Sequence, residues 1–294
     1  MIRTLIEHEP LLRFGAFLGV FALVAGWEAL APRRARSYSR RQRWPHNLGL
    51  LALDGLAVRL VAPGAAIAVA IAVEAQGWGL LNALALPFWA EIAVAVVLLD
   101  LVIYFQHVLF HAVPLLWRLH RVHHADPDFD VTTGTRFHPV EILLSVGIKC
   151  AAVAALGAPA LAVLLFEVLL NATAVFNHAN GRLPRAVDRW LRWFVVTPDM
   201  HRVHHSTVQH ETNSNFGFNL PWWDRLFGTY VAQPAAGHSA MTIGLDGMQG
   251  REELSIGRLL TQPFRAGPTA GAGGPRPQPA EALVSSLATR PSES

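Results

Sequence analysis

Apolar runs of helix length recur along the chain, and its histidine-rich stretches sit at their ends. An α-helix rises 1.5 Å per residue, so about 20 apolar residues cross the roughly 30 Å hydrocarbon core of a bilayer. Residues 11–31 form a first such run, with Arg13 and Glu28 near its ends, where long polar side chains can reach the interface. Residues 48–73 form a second, apolar apart from Asp54 and Arg59. Pro63-Gly64 interrupts it, which predicts a kinked helix or one that enters lipid late. The third, 87–106, holds Glu91 near its start and Asp100 near its end, and an ionisable residue within a span is a functional candidate. Residues 141–177 are apolar again but broken at Gly157-Ala-Pro159. The halves predict a tight hairpin that either crosses twice or dips in and returns.

Composition agrees. Hydrophobic residues make up 52% of the chain and charged residues 15%, with mean hydropathy +0.31, against about 25% charged in an ordinary globular protein. The net charge of +3 is carried by arginine, Lys149 being the only lysine, and no base-reading motif accompanies it, so no nucleic-acid partner is expected. Cys150 is the only cysteine, which excludes an intrachain disulfide and thiolate metal clusters. The first apolar run lacks a small-x-small cleavage signature, so no cleavable signal is expected. Residues 32–46 carry six arginines and no acid, a charge pattern that marks the cytoplasmic side. The stretch 32–43 would anchor to anionic lipid or dock an acidic partner.

With the loop 74–82 on the far side, the histidine-rich segments fall on the same face as these arginines. The expectation is therefore an all-α, polytopic protein of a bacterial-type inner membrane. It has about four transmembrane or re-entrant helices and a cytoplasmic helical cap carrying the histidines. The chain divides into an N-terminal helix and basic loop (1–47), a histidine-bearing domain (48–230), a C-terminal extension (231–261) and a Pro/Gly/Ala-rich tail (262–294) too poor in apolar residues to fold.

The histidines come in boxes. His107 and His111 lie one helical turn apart, then His120, His123 and His124 follow. The letters HRVHH return at His201, His204 and His205, preceded by His178. At 100° per residue the first pair is about 40° apart and each triple fits an arc of about 100°, so each box presents one face. Adjacent histidines at the end of each triple diverge enough to serve two different metals. Packing so many imidazoles together without metal would leave any protonated ring repelling its neighbours in a dry site. Neutral imidazole suits iron, copper, zinc and nickel alike, and no box has the His-Glu-x-x-His protease pattern. Asp100, Glu141 and Asp199 are the nearest carboxylates in sequence and are expected to fix the ring tautomers from behind. His8, His46, His210 and His238 stand alone and read as ordinary interface histidines.

The run Asp100-x3-Tyr104-x2-His107-x3-His111-x2-Pro114-x-Leu116-Trp117-Arg118-x-His120-x2-His123-His124 resembles the fatty acid hydroxylase/sterol desaturase superfamily of membrane di-iron oxidases. So do Arg136-Phe-His138-Pro-x-Glu141, Asn177-His178-Ala-Asn180, Thr197-Pro-x-x-His201-Arg-x-His204-His205, Asn215-Phe-Gly217 and Trp223-Asp224-x-x-Phe227-Gly228-Thr229. The resemblance implies two iron ions held by His107, His111, His120, His123, His124, His178, His201, His204 and His205. His138 matches a position whose role, ligand or support, stays open. Val108 stands where many members carry His-Arg after the first box histidine, and Ala174 stands where some relatives carry another histidine.

The resemblance further implies an oxidoreductase that uses O2 and two electrons to hydroxylate or desaturate an unactivated C–H bond. The substrate would be a lipid (fatty acyl, sterol-like or isoprenoid) drawn from the bilayer. The chain has no G-x-G-x-x-G after a strand and no cysteine cluster, so a separate reductase, ferredoxin or cytochrome is the expected electron donor. A catalytically silent membrane protein with a structural zinc cage is the rival reading.

Overall fold

The computed structural model describes residues 2–268. Helices account for its regular structure. They are α1 (Ile2–Glu7), α2 (Glu9–Leu30), α3 (Arg40–Val61), α4 (Ala65–Gln76), α5 (Phe88–Ala112), α6 (Pro114–His124), α7 (Pro139–Leu156), α8 (Ala160–Asn177), α9 (Arg185–Leu191), α10 (Pro198–His204), α11 (Gln209–Thr212) and α12 (Trp222–Leu226), with shorter turns beyond. No β-strand occurs among the described residues, which show only isolated bridges at Pro32–Gly181 and Ser206–Ile243.

Five helical stretches are long and apolar enough to cross a membrane: Glu9–Leu30, Arg40–Ala83, Phe88–Ala112, Pro139–Leu156 and Ala160–Asn177. The kink expected in the second falls at Pro63-Gly64, where Gly64 adopts φ +63 and separates α3 from α4. The hairpin α7–α8 runs as deep as its neighbours. Its turn meets the loop that joins α4 to α5, with Leu80 N–H donating to Ala155 O at 3.0 Å and Asn82 Nδ2 to Gly157 O at 3.2 Å. Gly157 has φ +65, and a Cβ built on the facing Gly79 would lie 2.2 Å from the Gly157 nitrogen, so the turn requires glycine.

Lipid tails compete with side chains for apolar contact, so helices in a bilayer associate through close packing of small residues. The core follows that rule: Ala66, Ala70, Ala95, Ala158 and Ala162 bring α4, α5 and α8 together, with Leu99, Val153 and Phe166 filling the remainder. Outward faces carry Leu23, Leu30, Leu60 and Leu109.

The basic segment corrects an expectation. Several of its arginines turn inward onto acids, while Arg41 stays exposed. Arg33 Nε lies 3.0 Å from Asp199 Oδ1, and Arg40 Nη2 lies 2.8 Å from the fully buried Glu28. Arg43, fully buried, reaches Asp126 at 2.6 and 2.8 Å and Asp130 at 2.5 Å. Asn47 adds contacts to Asp126 at 3.2 Å and Thr132 at 3.0 Å, while Arg136 donates to Val122 O at 2.8 Å. Burial pushes the Asp126 carboxyl up, but the Arg43 and Arg136 guanidiniums outweigh it and bring it to about 2. Acids after α6 and in α10 complement the arginines, so α3 runs unbroken through the 47/48 boundary and is bonded to the loop behind α6.

The tail also starts later than expected. Residues 262–268 pack along α6, where Arg118 Nε donates to Pro263 O at 2.5 Å and Trp117 Nε1 to Pro268 O at 3.0 Å. Arg121 Nη2 donates to Gln262 O and Arg265 O, each at 2.6 Å. The rest of the segment expected to be disordered, 269–294, lies outside the described residues.

Candidate metal centre

All nine box histidines converge. His107 and His111 occupy the last turns of α5, and Pro114 at the first position of α6 breaks the helix so that the chain turns and brings His120, His123 and His124 back over them. His178 caps the end of α8, while His201 and His204 ride on α10 and His205 caps it. None is more than 5% exposed. Their nitrogens form two groups: His107, His111, His120, His124 and His204 in one, His123, His178, His201 and His205 in the other, with the chosen nitrogens of each within 4.8 Å of one another. The adjacent pairs His123-His124 and His204-His205 each split between the groups, as the angular spacing of the boxes predicts. The groups adjoin, the His124 and His205 rings stacking at 4.6 Å.

Hydrogen bonds fix which way the lone pairs point. His107 Nδ1 lies 2.8 Å from Phe216 O, His204 Nδ1 2.7 Å from Ser214 O and His178 Nδ1 2.7 Å from Ala174 O. A carbonyl only accepts, so each Nδ1 carries the proton and each neutral ring turns a bare Nε2 inward. His120 Nδ1 meets Glu141 Oε1 at 2.6 Å and donates to it when Glu141 is ionised. His107 Nε2 and His120 Nε2 then face each other at 3.1 Å as two acceptors; His111 and His124 Nε2 also stand 3.1 Å apart, and His178 and His201 Nε2 3.0 Å apart. Two bare lone pairs at that distance repel unless a cation lies between them. Two nitrogens held about 2.1 Å from one ion at right angles would be about 3.0 Å apart. His204 Nε2 and both ring nitrogens of His205 have no hydrogen-bond partner in the described structure. Burial, followed by repulsion among the rings, holds His123, His124, His201, His204 and His205 well below the usual 6.5, and burial alone takes His120 to about 3. A buried, neutral, all-imidazole donor set fits a nitrogen-loving divalent metal in each group.

Of the three carboxylates expected behind the rings, one is there. Glu141 holds His120, whereas Asp100 accepts from Asn219 N–H, Leu220 N–H and Trp223 Nε1 and so pins the 215–229 loop to α5. Asp199 pairs with Arg33, Arg202 and His238 and touches no box histidine. Asp100 shares the His107 face of α5 but sits two turns before it, and Asp199 faces away from His201 and His204 on α10. His138 is outside both groups. Its Nδ1 accepts from Val140 N–H at 3.2 Å, capping α7, and its Nε2 donates to Leu260 O at 3.2 Å. His238, read as a lone interface histidine, is buried, 3.5 Å from Asp199.

The sequence reading missed the backbone carbonyls of Phe216, Ser214 and Ala174, the Asn213 amide at 3.2 Å from His111, and Phe137, stacked on His123 at 4.5 Å. Carbonyls leave no mark in a sequence. Gly134 does: a Cβ there would lie 2.5 Å from Ala174 O and 3.1 Å from His178 Nδ1, so glycine alone leaves that hydrogen bond room.

A fatty acid hydroxylase family model matches residues 92–229, from the first turns of α5 to the end of the Trp223–Thr229 box. Residues 92–229 are a fatty acid hydroxylase domain. All nine histidines lie within the matched domain, while Arg43 and Asn47, which brace it from behind, lie outside. Among similar proteins is an ornithine lipid hydroxylase of Rhizobium tropici, 30% identical over 178 residues, covering 60% of this chain and 51% of that protein. An alkylglycerol monooxygenase of Xenopus tropicalis is 28% identical over 135 residues, 44% of this chain and 28% of that protein. A human cholesterol 25-hydroxylase is 30% identical over 145 residues, 47% of this chain and 50% of that protein. The chain thus spans about half the length of these relatives, or less. No solved structure matches it. With its apolar helices and these similarities, the chain is an integral membrane protein.

Proposed function

We propose that the chain is a membrane-bound, non-haem di-iron oxygenase that hydroxylates an unactivated C–H bond of a lipid. The observation that carries this reading is the convergence of nine buried, neutral imidazoles into two groups whose ring nitrogens face one another at 3.0–3.1 Å. His107, His111, His120, His124 and His204 would hold one iron, and His123, His178, His201 and His205 the other. When bound, the irons supply the reduction of O2 and the removal of hydrogen from an unactivated C–H bond.

The remaining work falls to the chain. Phe216, Ser214 and Ala174 carbonyls, with the Glu141 carboxylate, keep the ring protons on Nδ1 and the ligand nitrogens inward. The fully buried setting keeps water from the rings and from a reactive centre. Substrate placement decides between hydroxylation and desaturation. The hydroxylase and monooxygenase names of the similar proteins favour the former, and their lipid substrates favour a lipid here. Electrons would come from a separate reductase, ferredoxin or cytochrome, since one cysteine cannot hold an iron–sulfur cluster. The boxes would face the cytoplasm of a bacterial-type inner membrane.

The test pairs lipid profiling of cells with and without the gene against the His123→Ala and His204→Ala proteins. A hydroxylated lipid present only with the intact chain is the expected result. Equal turnover by either histidine variant would refute the ligand assignment, and retained zinc with no change in any lipid would favour the structural cage.

A further inference from the structure

We propose that the surface formed by residues 182–194 with Trp222 and Leu226 lies in the headgroup layer of the bilayer. It would give the polar cap a second, non-spanning membrane contact that prefers anionic lipid. Five large side chains project there from an otherwise polar region: Leu226 is 69% exposed, Trp190 62%, Trp193 56%, Phe194 53% and Trp222 44%. They form one patch. Trp190 and Phe194 rings lie 5.0 Å apart, Trp222 Nε1 donates to Trp193 O at 2.7 Å, and the Arg225 guanidinium sits 4.2 Å over the Trp193 ring. Scattered exposed apolar residues need no explanation, but a contiguous aromatic patch does.

Three observations choose the bilayer as its occupant. The patch continues a face already in lipid: Phe227, next to Leu226, packs at 5.1 Å on Phe105, an exposed residue of spanning helix α5. Its depth is right, because the strand of chain beneath it is bonded to the spans. Val196 N–H donates to Asn219 O, Asn219 meets Thr173 one turn inside α8, and Asp100 of α5 accepts from Asn219 N–H and Leu220 N–H. Tryptophan is the residue that favours this water–hydrocarbon boundary. Lastly, Arg182, Arg185 and Arg189 are exposed on the same segment, and its single acid, Asp188, is buried against Arg192 and Thr197. Exposed cations among aromatic side chains are the pattern of an interfacial segment that binds anionic headgroups. The basic loop expected to play that part, 32–43, has turned several of its arginines inward instead.

The experiment uses the full chain, with Cys150→Ser, in lipid nanodiscs with and without phosphatidylglycerol. Spin labels go on Phe194→Cys and Leu226→Cys, with Leu60→Cys as the lipid-facing reference and Arg251→Cys as the aqueous one. Collision with O2 and with a water-soluble nickel chelate is measured at each. The expected O2-to-nickel ratio at 194 and 226 lies between those at 60 and 251 and exceeds that at 251 several-fold. A ratio matching 251 would overturn the proposal. So would screening from both reagents, which would assign the patch to a protein partner, or to a second copy where dipolar broadening vanishes on dilution with unlabelled chain. Exchanging Arg182, Arg185 and Arg189 for glutamine should lower the ratio at 194 in phosphatidylglycerol discs and leave it unchanged in phosphatidylcholine discs. No change in either would refute the anionic preference.

Discussion

Replacing Arg43 by methionine is the sharpest structural perturbation available. Methionine keeps most of the volume but removes a guanidinium that makes four short contacts, to Asp126 at 2.6 and 2.8 Å, Asp130 at 2.5 Å and Thr133 at 3.2 Å. Asp126 and Asp130 are fully buried, so two carboxylates lose their nearest cation while out of reach of water. Arg136 Nη1, 3.9 Å from Asp126, compensates for little of this. Breaking a buried ion pair from one side costs about 3–5 kcal/mol, which is roughly two to three and a half orders of magnitude in an equilibrium constant. Replacing all three charged partners, in Arg43→Met with Asp126→Asn and Asp130→Asn, removes the stranded charges and should recover much of the loss. The assay is thermal loss of the monodisperse detergent-solubilised peak in size-exclusion chromatography, with the exposed Arg41→Met as control. Arg43→Met should melt well below the others and the triple variant between. If Arg43→Met matches Arg41→Met, or if the triple variant is worse than the single, the reasoning about stranded charge fails.

Three further outcomes are expected. Glu141→Ala should weaken metal binding about 10- to 100-fold by freeing the His120 ring. Glu141→Gln, which keeps an oxygen acceptor for His120 Nδ1, should retain more metal, and equal loss in both would show that charge matters more than orientation. His138→Asn should preserve the α7 cap and leave the metal content unchanged in elemental analysis, whereas loss of metal in a folded protein would make His138 a ligand. In the metal-free protein, His120 and His178 are held at about 3 against the usual 6.5. The unfolded chain therefore binds more protons below 6.5. Their contribution to stability should be flat above that pH and fall as pH drops from about 6.5 toward 3, and a His120→Asn, His178→Asn variant whose stability falls as steeply as the parent's over that range in a pH-stepped melt would contradict this.

Much of this was written in the chain's spacing. Apolar run length placed the helices, Pro63-Gly64 and Gly157-Ala-Pro159 placed the breaks, and the 3.6-residue period already separated His123 from His124 and His204 from His205. What spacing could not carry was partnership across long separations. Arg43 and Asp126 are 83 positions apart, and the six-arginine segment looked like a lipid-anchoring or docking patch because nothing local showed its acids. Asp100 and Asp199 looked like ring supports because nearness in sequence shows neither the two-turn distance along α5 that separates Asp100 from His107 nor the face of α10 that Asp199 takes. The acceptors that orient three of the rings are backbone carbonyls, which every residue has, so only the neighbouring constraint of Gly134 against Ala174 O was visible in letters.

The central claim is that the two histidine groups are metal sites of one centre, and metal content per chain tests it most directly. Protein purified in detergent after growth with added iron, and measured by elemental analysis beside its His123→Ala and His204→Ala variants, should carry about two irons, with each variant losing metal. A folded, monodisperse sample that binds no metal, even after anaerobic reconstitution with ferrous iron, would contradict the account from the histidines upward.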